Sequence, residues 1–222
     1  MHFVVATPIG HLKDITLRAL EAFKKADLIL AEDTRRTKKL LNFYQISKPT
    51  ESFHQHSSQK KIDKILRLLK QGKQIVLVSD SGTPGISDPG PKLVRKVFQE
   101  LGENFVSPVP GPSALTAALS VSGLSCSKFV FLGYPPHKKG RKKFFSEIEN
   151  SKYPLIFFES PHRLIKTLEA LCLIKGIQLM VFNELTKMFE KIFQASPCSL
   201  LEKFKKNKSL LRGEFTLIVF KK

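Results

Sequence analysis

The segment 79–90 of the chain, SDSGTPGISDPG, has the composition of a loop that binds another molecule. Its three glycines tolerate backbone angles that other residues avoid and allow a ligand to approach the main chain. Two prolines stiffen the segment, while Asp80 and Asp88 supply carboxylate acceptors. A connection that only reversed the chain would need about two to six residues. We therefore expect a rigid functional loop, with a long surface loop as the alternative.

Other short polar segments, most of them containing proline or glycine, stand at the ends of further predicted strands. They are residues 7–10, 32–35, 110–114, 159–163, 183–187 and 212–215. Each segment is a weak signal by itself. Together they are expected at the carboxyl ends of strands, where open α/β sheets bind ligands. The sequence therefore predicts a site built from several strand ends.

The elements that would position these segments alternate along the first half of the chain. Thr16 has the character of a helix N-cap ahead of Leu17, Leu20 and Phe23, which are spaced to share one helix face. We predict strands at 3–6, 28–31 and 74–78, and helices that start near 17 and 32 and span 61–71 and 92–101. This alternation indicates an α/β architecture with a largely parallel sheet.

The segment 108–112, PVPGP, marks the predicted boundary between an N-terminal domain, 1–112, and a C-terminal domain, 113–222. Beyond it we predict helices at 113–121, 141–149, 161–172 and 199–205, and strands at 129–132, 155–158, 178–182 and 215–220. Residues 188–195 are compatible with either a strand or a helix. The fold class predicted for the chain is therefore two α/β domains.

The formal net charge of the 222-residue chain is +18, from 37 Lys and Arg against 19 Asp and Glu. Such a basic surface favours a polyanion, and nucleic acid is the first candidate. Lysine outnumbers arginine 29 to 8, however, and genome composition alone can produce that excess. The three cysteines form no CxxC pair, and no signal peptide or membrane-length apolar run is present, so we expect a cytoplasmic protein.

The common nucleotide-binding and hydrolase motifs are missing from the sequence. It contains no GxGxxG after the first strand, no GxxxxGK[ST] and no GxSxG, which argues against a dehydrogenase, a P-loop NTPase or a serine hydrolase. His54 and His56 stand two residues apart and would face one side of a strand, as a metal pair requires. No third ligand is evident nearby, so we expect surface or RNA-facing histidines and no metal.

The order of the polar segments resembles that of the tetrapyrrole methylase superfamily. Segment 79–90 is followed by PGPSA at 110–114, ESPHR at 159–163, NELTK at 183–187 and RGEF at 212–215. More narrowly, these motifs and the segment VVATPIGHLKDITLRALEAFKKADLILAEDTRRT at 4–37 resemble the bacterial small-subunit ribosomal RNA (cytidine-2'-O)-methyltransferases. The resemblance extends from about residue 3 to residue 220, essentially the whole chain.

The resemblance implies two α/β domains with the methyl donor S-adenosyl-L-methionine (AdoMet) in the cleft between them, and a homodimer. It also implies methylation of a cytidine ribose at the decoding centre of the small ribosomal subunit. A glycine-rich loop can meet such a donor largely through main-chain groups. The donor-contacting residues that it implies are Pro8, Asp80, Gly82, Thr83, Ile86, Ser113, Ala114, Asn183, Glu184 and Leu185, with Glu214 and Phe215 at the adenine end.

A ribose hydroxyl is a poor nucleophile near neutral pH, so a carboxylate base would assist its attack. Asp33 and Glu159 are the catalytic candidates best placed by the sequence, with Glu32 and Glu184 as alternatives. For each of these carboxylates, a helix cap or an ion pair is the competing interpretation.

Cations near the same segments suit the phosphates of an RNA backbone. The segment 137–143, HKKGRKK, contains five Lys or Arg in seven residues, although a solvated loop is the alternative. A solvated helix face is likewise the alternative for Arg36. The predicted RNA-binding residues are Arg35, Arg36, Lys138, Lys139, Arg141, Lys142, Lys143, His162, Arg163 and Lys187.

Two positions depart from the pattern of many relatives. Ser57 follows His56 where many relatives have Asn, and Asn183 precedes Glu-Leu-Thr where many have Arg. The second difference removes an arginine that could contact RNA or the donor. Two other functions stay open: an AdoMet-dependent methylase of a tetrapyrrole or another small molecule, which would not explain the charge, and a non-catalytic RNA-binding assembly factor, against which the intact glycine-rich segment argues.

Overall fold

The computed structural model describes residues 1–86 and 90–221. Asp88, expected to act as an acceptor in the glycine-rich segment, therefore lies outside the described residues. The chain divides into two compact units, Met1–Ser113 and Ala114–Lys222, one residue beyond the boundary expected from the sequence. Every helix among the described residues is too short or too polar to span a lipid bilayer.

The Met1–Ser113 unit is built on a parallel sheet. Its strands are β1 (His2–Val5), β2 (Leu28–Ala31), β3 (Thr50–Ser52), β4 (Ile75–Val78) and β5 (Val106–Val109), in the order β3-β2-β4-β1-β5. Its helices are α1 (Leu17–Lys25), α2 (Thr34–Phe43), α3 (Gln59–Lys70) and α4 (Gly90–Leu101), with 3-10 turns at Leu12–Asp14 and Glu103–Phe105. All the described strand pairs are parallel, which confirms the predicted α/β architecture here.

Helices cover both faces of this sheet, and the central strand β4 is therefore apolar at every position. Val76 and Val78 face a buried cluster that includes residues of α1 and α2. Ile75 and Leu77 face the opposite cluster, which includes residues of α3 and α4. Burial on both faces fixes the register of the strands, because a slip of one residue would exchange the two faces.

The sequence patterns do not predict β3 and β5, and both strands lie at the edges of the sheet. β3 is short and polar, so it lacks the apolar run that identifies β2 and β4. β5 contains Pro108, which cannot donate a hydrogen bond to a neighbouring strand. An edge strand tolerates the loss of this hydrogen bond. The segment 108–112, predicted as a domain boundary, thus begins inside a strand.

The Ala114–Lys222 unit contains a mixed sheet. Its strands are β6 (Val130–Phe131), β7 (Leu155–Glu159), β8 (Ile177–Asn183), β9 (Lys191–Ala195) and β10 (Phe215–Lys221), in the order β6-β7-β10-β8-β9. Its helices are α5 (Ala114–Ser120), α6 (Arg141–Asn150), α7 (Pro161–Cys172) and α8 (Pro197–Lys206), with a 3-10 turn at Lys208–Leu210. β6 and β7 are parallel, whereas β10 is antiparallel to β7 and β8, and β9 is antiparallel to β8. The ambiguous segment 188–195 thus contains a strand.

Both faces of this second sheet are also covered. Phe157 and Leu217 face a large buried cluster with residues of α6, α7 and α8. Ile156 and Ile218 face a smaller cluster that includes Ala118 of α5. Each unit therefore has its own buried core on both sides of a sheet, and the predicted α/β class is confirmed.

His2 begins β1, and its fully buried side chain makes the core of the first unit sensitive to acid. Burial lowers the pKa of His2 to about 4, because a charged imidazole would lose its hydration. In the unfolded chain the pKa of a histidine is about 6.5. As the pH falls between these values, the unfolded state gains a proton that the folded state does not, so up to about 3 kcal/mol of stability is lost.

We expect His2→Leu to remove this loss from the free energy of unfolding, measured with denaturant between about pH 4 and pH 7. His56→Leu is the matched control, because His56 is exposed, and it should leave the pH dependence of the parent protein intact. The same pH dependence in His2→Leu and in the parent would contradict the buried, neutral state of His2.

Candidate functional site

Four polar segments of the first unit follow strands that run in the same direction. Residues 7–10 follow β1, 32–36 follow β2, 79–86 follow β4 and 110–113 follow β5. Because these strands are parallel, their carboxyl ends lie at one edge of the sheet. We call these four segments the first strand-end cluster.

The glycine-rich loop is fastened to its neighbours in this cluster by main-chain and hydroxyl groups. Thr7 and Gly82 exchange two backbone hydrogen bonds, of 3.0 and 3.1 Å. Ser79 Oγ donates to the Gly82 carbonyl at 3.0 Å, and Thr83 Oγ1 donates to the Pro112 carbonyl at 3.1 Å. These bonds hold residues 79–83 against the segments that follow β1 and β5.

Two glycines give this loop a shape that side chains would disturb. Gly82 has a φ of +81°, and an added Cβ would lie 3.3 Å from Ile9 Cγ2 and 3.6 Å from the Pro112 carbonyl oxygen. Gly85 has a φ of +90°, and an added Cβ there meets nothing within 4 Å.

Among the predicted donor residues of this part of the chain, Ile86 is 38% exposed. The predicted donor residues Pro8, Ser113 and Ala114 are partly buried.

The acidic side chains of this cluster are tied to backbone groups and arginines. Asp80 Oδ1 accepts a hydrogen bond from the Asp33 backbone N–H at 2.8 Å, and Arg36 lies 3.8 Å from Asp80 Oδ2. Asp33 caps α2 by accepting from the backbone N–H of Arg35 at 2.8 Å, and it pairs with the Arg35 guanidinium at 2.7 Å. Hydrogen bonds from Arg35 hold the pKa of Asp33 well below its usual range. Asp33 is therefore ionised and a weak base.

Three polar segments of the second unit meet at one edge of the mixed sheet. Phe215, the first residue of β10, pairs with Glu159 at the end of β7 and with Asn183 at the end of β8. Segments 159–163, 183–187 and 212–215 thus form a second strand-end cluster. The expectation that every segment follows a strand is wrong for 212–215, which precedes β10. The antiparallel direction of β10 nevertheless brings this segment to the same edge.

Glu159 belongs to a buried hydrogen-bond network. Its side chain has no exposed surface. Its Oε2 accepts from Thr167 Oγ1 at 2.5 Å, and its Oε1 accepts from the Ser160 backbone N–H at 2.8 Å and lies 3.4 Å from Arg163 Nε. Arg141 Nη2 donates to Thr167 Oγ1 at 3.0 Å. A carboxylate enclosed in this way cannot reach a ribose hydroxyl, which contradicts the predicted catalytic role of Glu159.

Glu184 links the two loops of the second cluster. Its Oε1 accepts from Lys187 Nζ at 2.8 Å and from the Glu214 backbone N–H at 2.9 Å. Lys187 also lies 3.1 Å from Glu214 Oε2. Burial disfavours the charged lysine, yet its bonds with the two glutamates raise the pKa of Lys187 overall. Gly213, with a φ of +82°, leaves the space that the Glu184 side chain occupies.

Two predicted donor residues of this cluster are buried. Asn183 is 5% exposed, and its Nδ2 donates to the carbonyls of Arg212 at 2.9 Å and Glu214 at 3.4 Å. Phe215 is 2% exposed, and its ring lies 6.1 Å from that of Phe204. The Phe215 side chain therefore faces the core, because it occupies an inward position of β10, and only its main chain lies at the edge of the sheet. Leu185 and Glu184 are partly buried.

The residues predicted to bind RNA fall into two groups. Arg141, Arg163 and Lys187 are partly buried and already engaged by protein acceptors. Arg163 also donates to the Pro135 carbonyl and lies 3.3 Å from His137 Nε2. These three cations therefore connect elements of the second unit to one another. The exposed group consists of Arg35, Arg36, Lys138, Lys139, Lys142, Lys143 and His162.

The two histidines of segment 52–57 lie in the turn region after β3 and not on a strand. The alternation that would align His54 and His56 therefore does not apply to them, and their ring centroids lie 6.3 Å apart. Among residues 1–86 and 90–221, no group of three or more His, Cys, Asp or Glu side chains could hold a metal ion.

Tyr134 lies beside the second cluster and is not identified by the sequence analysis. It follows β6, which is parallel to β7, and its ring centroid lies 5.6 Å from that of Phe158. Its residue surface is 54% exposed. Partial burial raises the pKa of Tyr134, and the charges of Glu214 and Glu159 raise it further. The signal was present in the sequence, because GYPP at 133–136 is another glycine- and proline-containing segment after a strand.

We expect Gly213→Ala to lower the free energy of unfolding by more than the usual cost of an alanine at a positive φ. The added Cβ would also overlap the Glu184 carboxyl group. Gly176→Ala is the matched control: its φ is +73°, and an added Cβ there meets nothing within 4 Å. The control should lower the free energy of unfolding by about 1 kcal/mol, and Gly213→Ala should lower it by about 2 kcal/mol more. Both values are measured by denaturant unfolding. Equal costs would show that the hydrogen bonds of Glu184 do not hold its carboxyl group in this space.

Comparisons with known proteins identify two kinds of similarity. A family model described as Tetrapyrrole (Corrin/Porphyrin) Methylases matches residues 3–197. The chain is 46% identical to Ribosomal RNA small subunit methyltransferase I of Thermotoga maritima, over 97% of this chain and 96% of the relative. It is 42% identical to the protein of the same name from Bacillus subtilis, over 98% of this chain and 74% of the relative.

Solved structures with much lower sequence identity share the fold. Diphthine synthase aligns with a TM-score of 0.72 and 15% identity, over 99% of this chain and 89% of that chain. Uroporphyrin-III C-methyltransferase from Thermus thermophilus, complexed with S-adenyl homocysteine, aligns with a TM-score of 0.64 and 18% identity, over 99% and 96% of the two chains. At these identities, the likeness concerns the fold.

Proposed function

Because the chain belongs to the tetrapyrrole (corrin/porphyrin) methylase family, we propose that it transfers the methyl group of AdoMet to the 2'-hydroxyl of a cytidine in small-subunit ribosomal RNA, at the decoding centre. The observation that carries this proposal is 46% identity to a relative named ribosomal RNA small subunit methyltransferase I, over nearly the full length of both chains. The net charge of +18 supports a polyanionic substrate.

The first strand-end cluster has the chemistry of a donor site. Its loop offers main-chain groups near Gly82 and Gly85, and the exposed Ile86 side chain suits an adenine ring. The Asp80 carboxylate suits a positively charged group of the donor. AdoMet, when bound, supplies a methyl group on a positively charged sulfur. The donor contacts assigned to this cluster are Pro8, Asp80, Gly82, Thr83, Ile86 and Ser113. Ala114, the first residue of the second unit, is a further proposed contact.

The second strand-end cluster supplies further proposed donor contacts. Glu184 and Glu214 offer carboxylates that Lys187 partly neutralises. Phe215 contributes only main-chain groups, because its ring is buried. The contacts assigned to this cluster are Asn183, Glu184, Leu185, Glu214 and the Phe215 backbone.

Alignment of the reactants, and not a strong base, supplies most of the rate in this proposal. Holding two bound reactants in line can lower the activation free energy by up to ~7–11 kcal/mol. Asp33 is partly exposed and ionised, so it can accept a hydrogen bond from the ribose hydroxyl and orient it. Glu159 acts as a positioning residue, because it holds Arg163 and, through Thr167, Arg141.

The exposed cations Arg35, Lys138, Lys139, Lys142 and Lys143 suit phosphates of the RNA. A homodimer, which the family resemblance implies, and a cytoplasmic location, which the cysteine pattern and the lack of a signal peptide favour, complete the proposal. The three cysteines are free thiols, which fits a reducing compartment.

A labelled-methyl experiment tests the proposed reaction. The protein is incubated with methyl-labelled AdoMet and undermethylated small ribosomal subunits, naked ribosomal RNA or a tetrapyrrole. We expect label in subunit RNA as an alkali-resistant 2'-O-methylated dinucleotide, because 2'-O-methylation blocks cleavage at that linkage. Fully methylated subunits are the control and should accept none. Label in the tetrapyrrole, or RNA binding without label, would contradict the proposal.

Gly82→Ala tests the donor loop separately. The added methyl group would strain the left-handed backbone and crowd Ile9, so we expect the Kd for AdoMet, measured by calorimetry, to rise about tenfold or more. Gly72→Ala carries a similar φ of +80° in open space and should leave the Kd unchanged. If Gly82→Ala stayed folded and kept the parent affinity, the donor would have to bind elsewhere.

A further inference from the structure

A groove of about 610 Å³ runs between α6 and α7 in the second unit, outside the strand-end clusters. Its volume lies within the range of pockets that hold small molecules. The residues that line it are His137, Lys138, Arg141, Lys142, Phe145, Ser146, Glu149, Lys166, Ala170, Leu173 and Ile174. The proposed methyl transfer does not account for the apolar part of this lining.

The polar part of the lining favours an anion. It contains four lysine or arginine side chains and His137 against a single carboxylate, Glu149. Lys142 and Lys166 come from different helices and are both exposed. Arg141 is held in place, because its Nη2 donates to Thr167 Oγ1 at 3.0 Å. A fixed guanidinium loses less conformational freedom than a mobile one when it binds a phosphate.

The apolar part of the lining favours a flat, weakly polar group. Phe145, Ala170, Leu173 and Ile174 line this part, and Leu173 is 83% exposed. The Arg141 guanidinium lies over the Phe145 ring at 5.0 Å from its centroid. Aromatic rings and guanidinium planes are the surfaces on which unpaired bases stack.

We propose that the α6–α7 groove binds one unpaired nucleotide of the RNA, with its phosphate at the cations and its base against the apolar residues. The inference rests on the proposed function, which makes RNA the substrate. A base-paired nucleotide would not expose its base to the apolar part, whereas an unpaired one does. The groove also adjoins the second strand-end cluster, because His137 of its lining contacts Arg163 at 3.3 Å.

The phosphate contact is tested with matched pairs of lysines. Lys142→Gln/Lys166→Gln removes two groove cations, while Lys152→Gln/Lys175→Gln removes two exposed cations that neither line the groove nor belong to the predicted RNA-binding residues. Binding of a fluorescent single-stranded RNA is measured by anisotropy at several salt concentrations. We expect the groove pair to raise the Kd about tenfold. It should also lower the slope of the logarithm of the binding constant against the logarithm of the salt concentration by about one to two. The control pair should change the Kd less than about twofold. Equal effects of the two pairs would overturn the proposal.

The base contact is tested with an apolar pair and a second RNA. Leu173→Ser changes the exposed groove leucine, and Leu17→Ser changes a leucine of similar exposure, 79%, in the first unit. We expect Leu173→Ser to weaken binding of the normal RNA about fivefold and to leave binding of an RNA with abasic positions unchanged. Leu17→Ser should alter neither affinity. An equal loss for both RNAs, or no loss for either, would overturn the base contact.

These binding measurements are independent of methyl transfer. Groove-dependent RNA binding without transfer of label would contradict the proposed function and support the groove. If label is transferred and neither groove variant weakens RNA binding, the result would support the proposed function and overturn the proposed nucleotide site in the groove.

Discussion

Strand direction and register are the constraint on which the candidate site depends. In the Met1–Ser113 unit, parallel strands that are far apart in the sequence end at one edge, and four polar segments meet there. In the Ala114–Lys222 unit, the antiparallel register places Phe215 beside both Glu159 and Asn183. A slip of one residue would turn the side chains of β10 to the opposite face. Packing of the buried sheet faces therefore determines where the polar segments lie.

Within both clusters, charged side chains mainly orient one another. Asp33 pairs with Arg35 and Glu184 pairs with Lys187, while Glu159 is enclosed by hydrogen bonds. A buried charge is costly unless it is paired, so removal of one partner disturbs the others. This arrangement leaves main-chain groups and a few exposed side chains to meet ligands. A reaction that depends on alignment suits such a site better than one that needs a strong base.

The sequence predicts features that depend on a local pattern of residues. It cannot predict features that depend on how distant strands and helices pack together. Thr16 caps α1 through a bond from the Ala19 backbone N–H, and α7 has the predicted bounds, because caps and apolar spacing are local signals. The edge strands β3 and β5 carry no such signal. The burial of Glu159 and Phe215 follows from the helices that cover β7 and β10, and the sequence alone does not define which elements cover each face of the sheet. The segments of the site were therefore predictable, while the roles of single side chains were not.

The central claim is that the first strand-end cluster binds the methyl donor. Amide hydrogen exchange with and without AdoMet tests it most directly, because bound ligand slows exchange at the main-chain groups that it covers. The account predicts slower exchange in segments 7–10, 79–86 and 110–113, and unchanged exchange along α6 and α7. Protection confined to other parts of the chain, at donor concentrations that saturate binding, would contradict it.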